Sequence, residues 1–171
     1  RKVLAISGAD RVGFLQGLVT NDLAGLDRVA VYAALLTPQG KYLADFFLAA
    51  DGERILLDVA DSLAEDVLKR LSMYKLRSAV EIVWTDLAVT RGLGVAPPGA
   101  VADPRHEALG WRAYGNPGAR PSVDWDAIRV AHCIPETGIE LIPGETFILE
   151  AGFERLNGVD HRKGCYAGQE V

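Results

Sequence analysis

Reactive side-chain types crowd into the stretch RKGCYAGQEV: the Lys163 ammonium, the Cys165 thiol, the Tyr166 phenol and the Glu170 carboxylate. A thiolate is both a nucleophile and a metal ligand, and a nearby ammonium favours it over the thiol. Lys163 stands two positions before Cys165, so in an extended segment the two side chains point the same way. Gly164 and Gly168 bracket the cysteine, and glycine allows backbone turns and close approaches that other residues do not. Two readings are open. The thiol is presented on a tight loop, or it is a small buried residue in a glycine-rich turn with Lys163 solvated. The density of special residue types favours the presented thiol.

His132-Cys133 and His161 with Cys165 add further ligand types. Their spacing is not the CxxC clustering of zinc and iron–sulfur sites. No resident metal is therefore expected, and Cys165 is at most one ligand in a transient site shared with a partner. Asp45 lies in an apolar run, Leu43 to Phe47, where neither alternating face is cleanly polar. A carboxylate there is either solvated or buried, and if buried it is a candidate acceptor for a ligand amine. Phosphate-loop, dinucleotide, serine-elbow and HExxH motifs are missing, so nucleotide hydrolysis, dinucleotide redox and serine hydrolysis lose support.

The elements that must position these residues follow from hydrophobic period and turn chemistry. Val3 to Ile6 reads as a strand, and Ser7 to Asp10 opens a helix through Val12, Leu15, Leu18 and Val19. Val29 to Leu36 and Tyr42 to Ala49 are strands joined by Thr37-Pro38-Gln39-Gly40, a strong turn signal. Asp51-Gly52 predicts a second hairpin into Arg54 to Val59. Ser62-Leu63-Ala64-Glu65 matches a capping box before a helix with Leu63, Val67, Leu68 and Leu71 on one face. Ala79 to Trp84, Leu87 to Thr90 and Gly110 to Tyr114 are further strands, and Asp124 to His132 a short helix. The order predicts an α+β fold with helices packed on an antiparallel sheet.

After Arg91 the chain turns Gly- and Pro-rich, which marks a boundary: 1–91 as a first subdomain and 92–171 as a second, looser one. The 171 residues suffice for a sizeable core. A net charge of −5 lacks the basic footprint of a dedicated nucleic-acid binder. Two cysteines do not make a disulfide framework, which suggests a reducing, cytoplasmic-type compartment. Apolar runs such as Ala30 to Leu36 are strand-sized, below the roughly 20 residues of a membrane-spanning helix. The start at Arg1 and the stop after the terminal motif suggest a piece of a longer protein.

The stretch KGCYAGQE resembles the signature of the YgfZ family, folate-binding-type proteins tied to iron–sulfur cluster assembly and related to the aminomethyltransferase (T-protein) of glycine cleavage. FLQGLVTND, LTPQGKYLADFFL, YKLRSAVEI, DPRHEALGWRAY and FILEAGFERLNGVDHRKGCYAGQEV are similar to other parts of the same family, so the likeness covers almost the whole chain. The resemblance implies a ring of subdomains around a folate-sized hole, followed by a barrel expected beyond Val171. It implies tetrahydrofolate as ligand. Its implied partners are iron–sulfur client or assembly proteins, including a radical tRNA-modifying enzyme, with no direct nucleic-acid or membrane binding. Cys165 would be the functional residue, assisted by Lys163 and Asp45. Asp45, Asn21, Arg129, Glu150, Gly164, Tyr166, Gly168, Gln169 and Glu170 would line the ligand site, with Arg129, Arg155 and Lys163 attracting its carboxylates. The related transferases carry an acidic pair where this chain has Ala44-Asp45, which weakens the alternative of a folate-dependent aminomethyl- or methyltransferase. A non-catalytic binding module is the remaining alternative. His161 stands where the family is usually aromatic, and Cys133 where glycine is usual.

Overall fold

The computed structural model describes residues 1–118 and 122–169. The first elements in chain order are β1 (Lys2–Ser7), α1 (Arg11–Gln16), β2 (Val31–Leu36), β3 (Tyr42–Asp51), β4 (Arg54–Val59) and α2 (Ala64–Lys75). Then follow β5 (Glu81–Trp84), β6 (Ala88–Gly92), β7 (Val101–Ala102), β8 (Trp111–Gly115) and α3 (Trp125–Ala131). The fold is α+β. A five-stranded antiparallel sheet has the order β2-β3-β4-β1-β5, and a three-stranded antiparallel sheet has the order β6-β8-β7. Neither is a closed barrel. Arg91, where the composition changes, lies within β6. Among the described residues no helix is long and apolar enough to cross a membrane.

Both faces of the larger sheet are covered, which explains why its central strands read as nearly unbroken apolar runs. One face carries Leu4, Ala33, Phe46 and Leu57 and packs against Leu15, Val67 and Leu71 of the two helices. The other carries Tyr32, Ala34, Tyr42 and Phe47 and packs against Ile134, Leu141, Ile148, Phe153 and Leu156. The long irregular stretch after α3 is therefore held by the sheet's second face rather than by a sheet of its own.

Two local expectations change. The capping box does not form: a 3-10 turn over Asp61–Leu63 precedes α2, and no side chain caps the helix. Ser62 is inside that turn, so it cannot stand at the helix boundary. In β3 the register slips by one residue, from Leu35 opposite Ala44 to Leu36 opposite Tyr42, leaving Leu43 unpaired. Such a bulge rotates what precedes it. Tyr42 thereby joins the face of Asp45 and Phe47 instead of lying opposite it.

Between the sheets sits a buried ionic centre. Asp58 of β4 accepts hydrogen bonds from Arg1 and Arg112, and from the Tyr114 hydroxyl at 3.2 Å. Arg112 also reaches Asp103 at 3.1 Å, and Asp103 accepts the Arg105 fork at 3.0 and 2.9 Å. The Arg112 guanidinium lies 3.4 Å from the centre of the Phe47 ring, a cation–π contact made with little water present. Burial opposes the charge of Asp103, but hydrogen bonds and charge from Arg105 and Arg112 prevail and hold its pKa at about 2.

Candidate functional site

The terminal loop is positioned by its lysine and its second glycine. Lys163 Nζ donates to the carbonyls of Gln16 and Val19, the latter at 2.6 Å. These carbonyls lie at and just past the end of α1, where helix C-termini leave acceptors open and favour a cation. The ammonium thus anchors the loop to the first helix rather than turning to Cys165. Half-burial lowers its pKa, against opposition from Asp22 and Asp160.

Gly168 has φ +87°, and a Cβ there would enter the Thr37 carbonyl and lie 2.8 Å from Leu36 Cβ. Only glycine lets the loop lie this closely on the β2–β3 turn. That turn is itself knotted by Thr37, whose Oγ1 accepts from the backbone of Gln39 and Lys41 at 3.2 and 3.1 Å. Gly164 has φ +96° with open space around it, so its demand is for backbone geometry alone. Between these fixed points Cys165 is exposed. Tyr166 is half-buried against the second core, and its backbone exchanges hydrogen bonds with Gln169 at 3.3 and 3.2 Å. Glu170 lies outside the described residues.

A cleft of about 260 Å³ opens beside the loop, lined by Leu36, Phe147, Glu150, His161, Tyr166 and Gln169 among others. Exposed Glu150 also lines a wider groove of about 660 Å³, with Arg129, Cys133, Glu140 and Arg155 on its walls. The groove's cations are already engaged. Arg129 bridges Asp126 at 2.9 Å and both oxygens of Glu140 at 3.1 Å. Arg155 donates to the carbonyls of His132 and Cys133 at 3.0 and 2.6 Å, closing the end of α3. His161 pairs with Glu154 at 2.7 Å.

Asp45 is in a different place. It is 4% exposed, lines none of these clefts, and accepts hydrogen bonds from three hydroxyls. Tyr32 donates at 3.0 Å, and Tyr42 and Thr137 at 2.6 Å each. Burial first, and the Asp45 charge second, raise the pKa of both phenols. A carboxylate so surrounded has few acceptor positions left for a ligand amine. Asn21 is likewise occupied: its Nδ2 donates to the carbonyls of Tyr32 and Asn157 at 2.8 and 2.6 Å, strapping β2 to the segment before the terminal loop.

The residues named from the sequence therefore divide. Cys165, Lys163, Gly164, Tyr166, Gly168 and Gln169 form one loop, and Glu150 meets it across the cleft. Asp45 and Asn21 lie within the fold, and Arg129 sits on the wider groove. Tyr32, Tyr42 and Thr137, which fix Asp45, carried no sequence signal except Tyr42's nearness, and the bulge was needed to bring it round. Among the described residues no three His, Cys, Asp or Glu side chains converge as a metal site.

No protein-family model matches the chain. The whole chain aligns with proteins named iron-sulfur cluster assembly factor IBA57, mitochondrial, or homologues of it. Identity is 32% with the Mycosarcoma maydis protein, of which 51% is covered, and 32% with the Homo sapiens protein, of which 59% is covered. It is 28% with that of Pyricularia oryzae, of which 51% is covered. The chain thus spans about half the length of these curated relatives. The alignments run over 204 and 210 positions for the first two, more than the 171 residues here, so the relatives carry extra segments inside the aligned region. Among solved structures, the aminomethyltransferase T of the Bartonella henselae glycine cleavage system shares 22% identity at a TM-score of 0.48, over 52% of this chain and 25% of that one. The mitochondrial names overturn the cytoplasmic-type compartment expected above. Cysteine content reports redox poise, not which reducing compartment holds a protein.

Proposed function

We propose that this chain is the cluster-facing part of an iron–sulfur cluster assembly factor of the mitochondrial kind, and that Cys165 is the residue its partner meets. The carrying observation is an exposed thiol on a loop fixed on both sides, by Lys163 on α1 and by Gly168 on the β2–β3 turn. The names of the relatives support the assembly role, and the KGCYAGQE stretch supports the finer YgfZ-type assignment. A thiol ligates iron only after losing its proton. An exposed cysteine exchanges that proton with water, and a fixed backbone presents the sulfur without first ordering the loop. The cluster is cargo, and the partners are iron–sulfur assembly proteins or [4Fe–4S] clients, a radical tRNA-modifying enzyme among them. The test is complementation in cells lacking the protein, read by the activities of their [4Fe–4S] enzymes. Cys165→Ser and Cys165→Ala are expected to lose rescue while keeping wild-type protein levels. Full rescue by Cys165→Ala would remove the proposal and favour a binding module in which the loop shapes a partner surface.

A second reading, tetrahydrofolate binding, draws on the 660 Å³ groove, which is within the usual size range of small-molecule sites. Arg129, Glu150 and Arg155 would line the ligand there, the arginines offering its carboxylates the N–H groups that their present partners leave free. When bound, a reduced folate supplies one-carbon chemistry; this chain's residues bind and orient it. Asp45, enclosed by three hydroxyls, offers the transferase alternative little support. Calorimetric titration of the intact protein with tetrahydrofolate tests the reading. Saturable binding that weakens in Arg155→Gln supports it, and no binding removes it.

A further inference from the structure

Arg91 on β6 stands directly across from Arg112 on β8. Like charges facing each other in an antiparallel pair repel. Arg112 is neutralised by Asp58 and Asp103. Arg91 forms no ion pair among the described residues, and its Nε is buried without an acceptor. Its guanidinium rests on the Trp125 ring, 4.1 Å from the centroid. Among the described residues, Arg112 Nε on the facing strand is likewise buried without a partner. Both are donors, and buried N–H groups are normally satisfied. Burial, then repulsion from Arg112 and Arg105, lowers the Arg91 pKa to about 10.

Arg91 opens onto a cavity of about 160 Å³, whose other charged lining residues are Arg105, Arg129, Asp126 and Glu136. Three of these are already matched: Arg105 by Asp103, and Arg129 with Asp126. That leaves one unmatched cation, Arg91, and one carboxylate with no ion pair among the described residues, Glu136. Glu136 is held in place by its backbone, which donates to Glu140 at 2.9 Å and accepts from Leu141 at 3.2 Å. The space is below the range for drug-sized ligands. A group that fits both walls must accept from a guanidinium fork and donate to a carboxylate.

We propose that this cavity binds a phosphate group, as the free ion or as the end of a phosphate monoester. Its oxygens accept the paired N–H groups of Arg91, a geometry guanidinium is built for. Its remaining P–OH donates to Glu136. Sulfate has the same shape and no proton to donate, so the site discriminates between them. The cavity holds neither Cys165 nor Glu150, and the proposal stands apart from the cluster-assembly reading.

The test uses the intact protein at about pH 6, near the second pKa of a phosphate monoester. The indole N–H resonance of Trp125, assigned with Trp125→Phe, is followed while inorganic phosphate, glycerol phosphate or sodium sulfate is added at constant ionic strength. A saturable shift with inorganic phosphate, at least about tenfold weaker with sulfate, is expected. Arg91→Lys keeps the charge but loses the fork, and is expected to weaken phosphate binding by about tenfold. Glu136→Gln is expected to narrow the gap between phosphate and sulfate. A stronger response to glycerol phosphate than to phosphate supports the monoester as the source. No saturable shift with either phosphate compound, equal affinity for sulfate, or an unchanged Arg91→Lys variant would overturn the proposal.

Discussion

Lys163 Nζ sits 2.6 Å from the carbonyl oxygen of Val19, a residue 144 positions earlier in the chain. The contact joins the terminal loop to the first helix and makes the loop's position a property of the whole fold. Lys163→Met keeps much of the side chain's apolar length and removes the charged donor. It leaves the carbonyls of Gln16 and Val19 without their partner, at an expected loss of about 2 kcal/mol in urea denaturation. Amide exchange of Gly164 to Gln169 should accelerate more than that of β4. A variant with unchanged stability and unchanged loop exchange would show that the contact holds nothing.

The two loop glycines make a graded pair. Gly164→Ala meets only the backbone preference against positive φ, and about 1 kcal/mol is expected. Gly168→Ala meets that preference and the Thr37 carbonyl as well, so it should cost clearly more and detach the loop. Amide exchange of Gly164 to Gln169, followed by mass spectrometry, reads the detachment independently. Equal effects of the two substitutions would contradict the close approach to the β2–β3 turn.

Acid should act on the ionic centre. The folded pKa of Asp103 is about 2, below its ordinary value of 3.8. A depressed carboxylate stabilises fully above the unfolded pKa, and its contribution disappears as pH falls toward the folded one. About 2 kcal/mol is therefore expected to be lost between roughly pH 5 and pH 2, a shift of nearly two pH units at 1.36 kcal/mol each. Asp103→Asn should flatten that part of the stability profile. Parallel profiles for the variant and the parent would place the acid sensitivity elsewhere.

The meander β2–β3–β4 was legible because its turns carry strong local chemistry: Thr37-Pro38-Gln39-Gly40 and Asp51-Gly52 mark the hairpins almost to the residue. The placement of β1 between β4 and β5 was not legible, since that pairing joins Leu4 to Leu57 and to Trp84 with no local signal between them. The site followed the same division. Cys165 and its glycines were readable as an unusual loop from residue type alone. That Lys163 would turn to α1, and that Asn21 would be a strap, depends on contacts across most of the chain. That Tyr42 would reach Asp45 was hidden for a narrower reason. One unpaired residue, Leu43, inverts the side on which Tyr42 lies, and period-two reasoning cannot detect such a slip.

That bulge supplies the last prediction. Asp45 accepts from Tyr32, Tyr42 and Thr137, and a carboxylate is the side chain that only accepts. Asp45→Asn substitutes an amide of nearly equal shape whose NH₂ must face at least one hydroxyl already oriented as a donor. The charge that strengthens all three hydrogen bonds is also lost. A destabilisation of about 2 kcal/mol is expected, measured by urea denaturation, with the Tyr32 and Tyr42 resonances displaced. Tetrahydrofolate titration separates this role from a ligand role. If Asp45 is a structural acceptor, Asp45→Asn lowers stability and leaves any folate affinity of the folded protein within about twofold, since less than half a kcal/mol would be involved. A variant that keeps its stability and loses folate binding would return Asp45 to the ligand site.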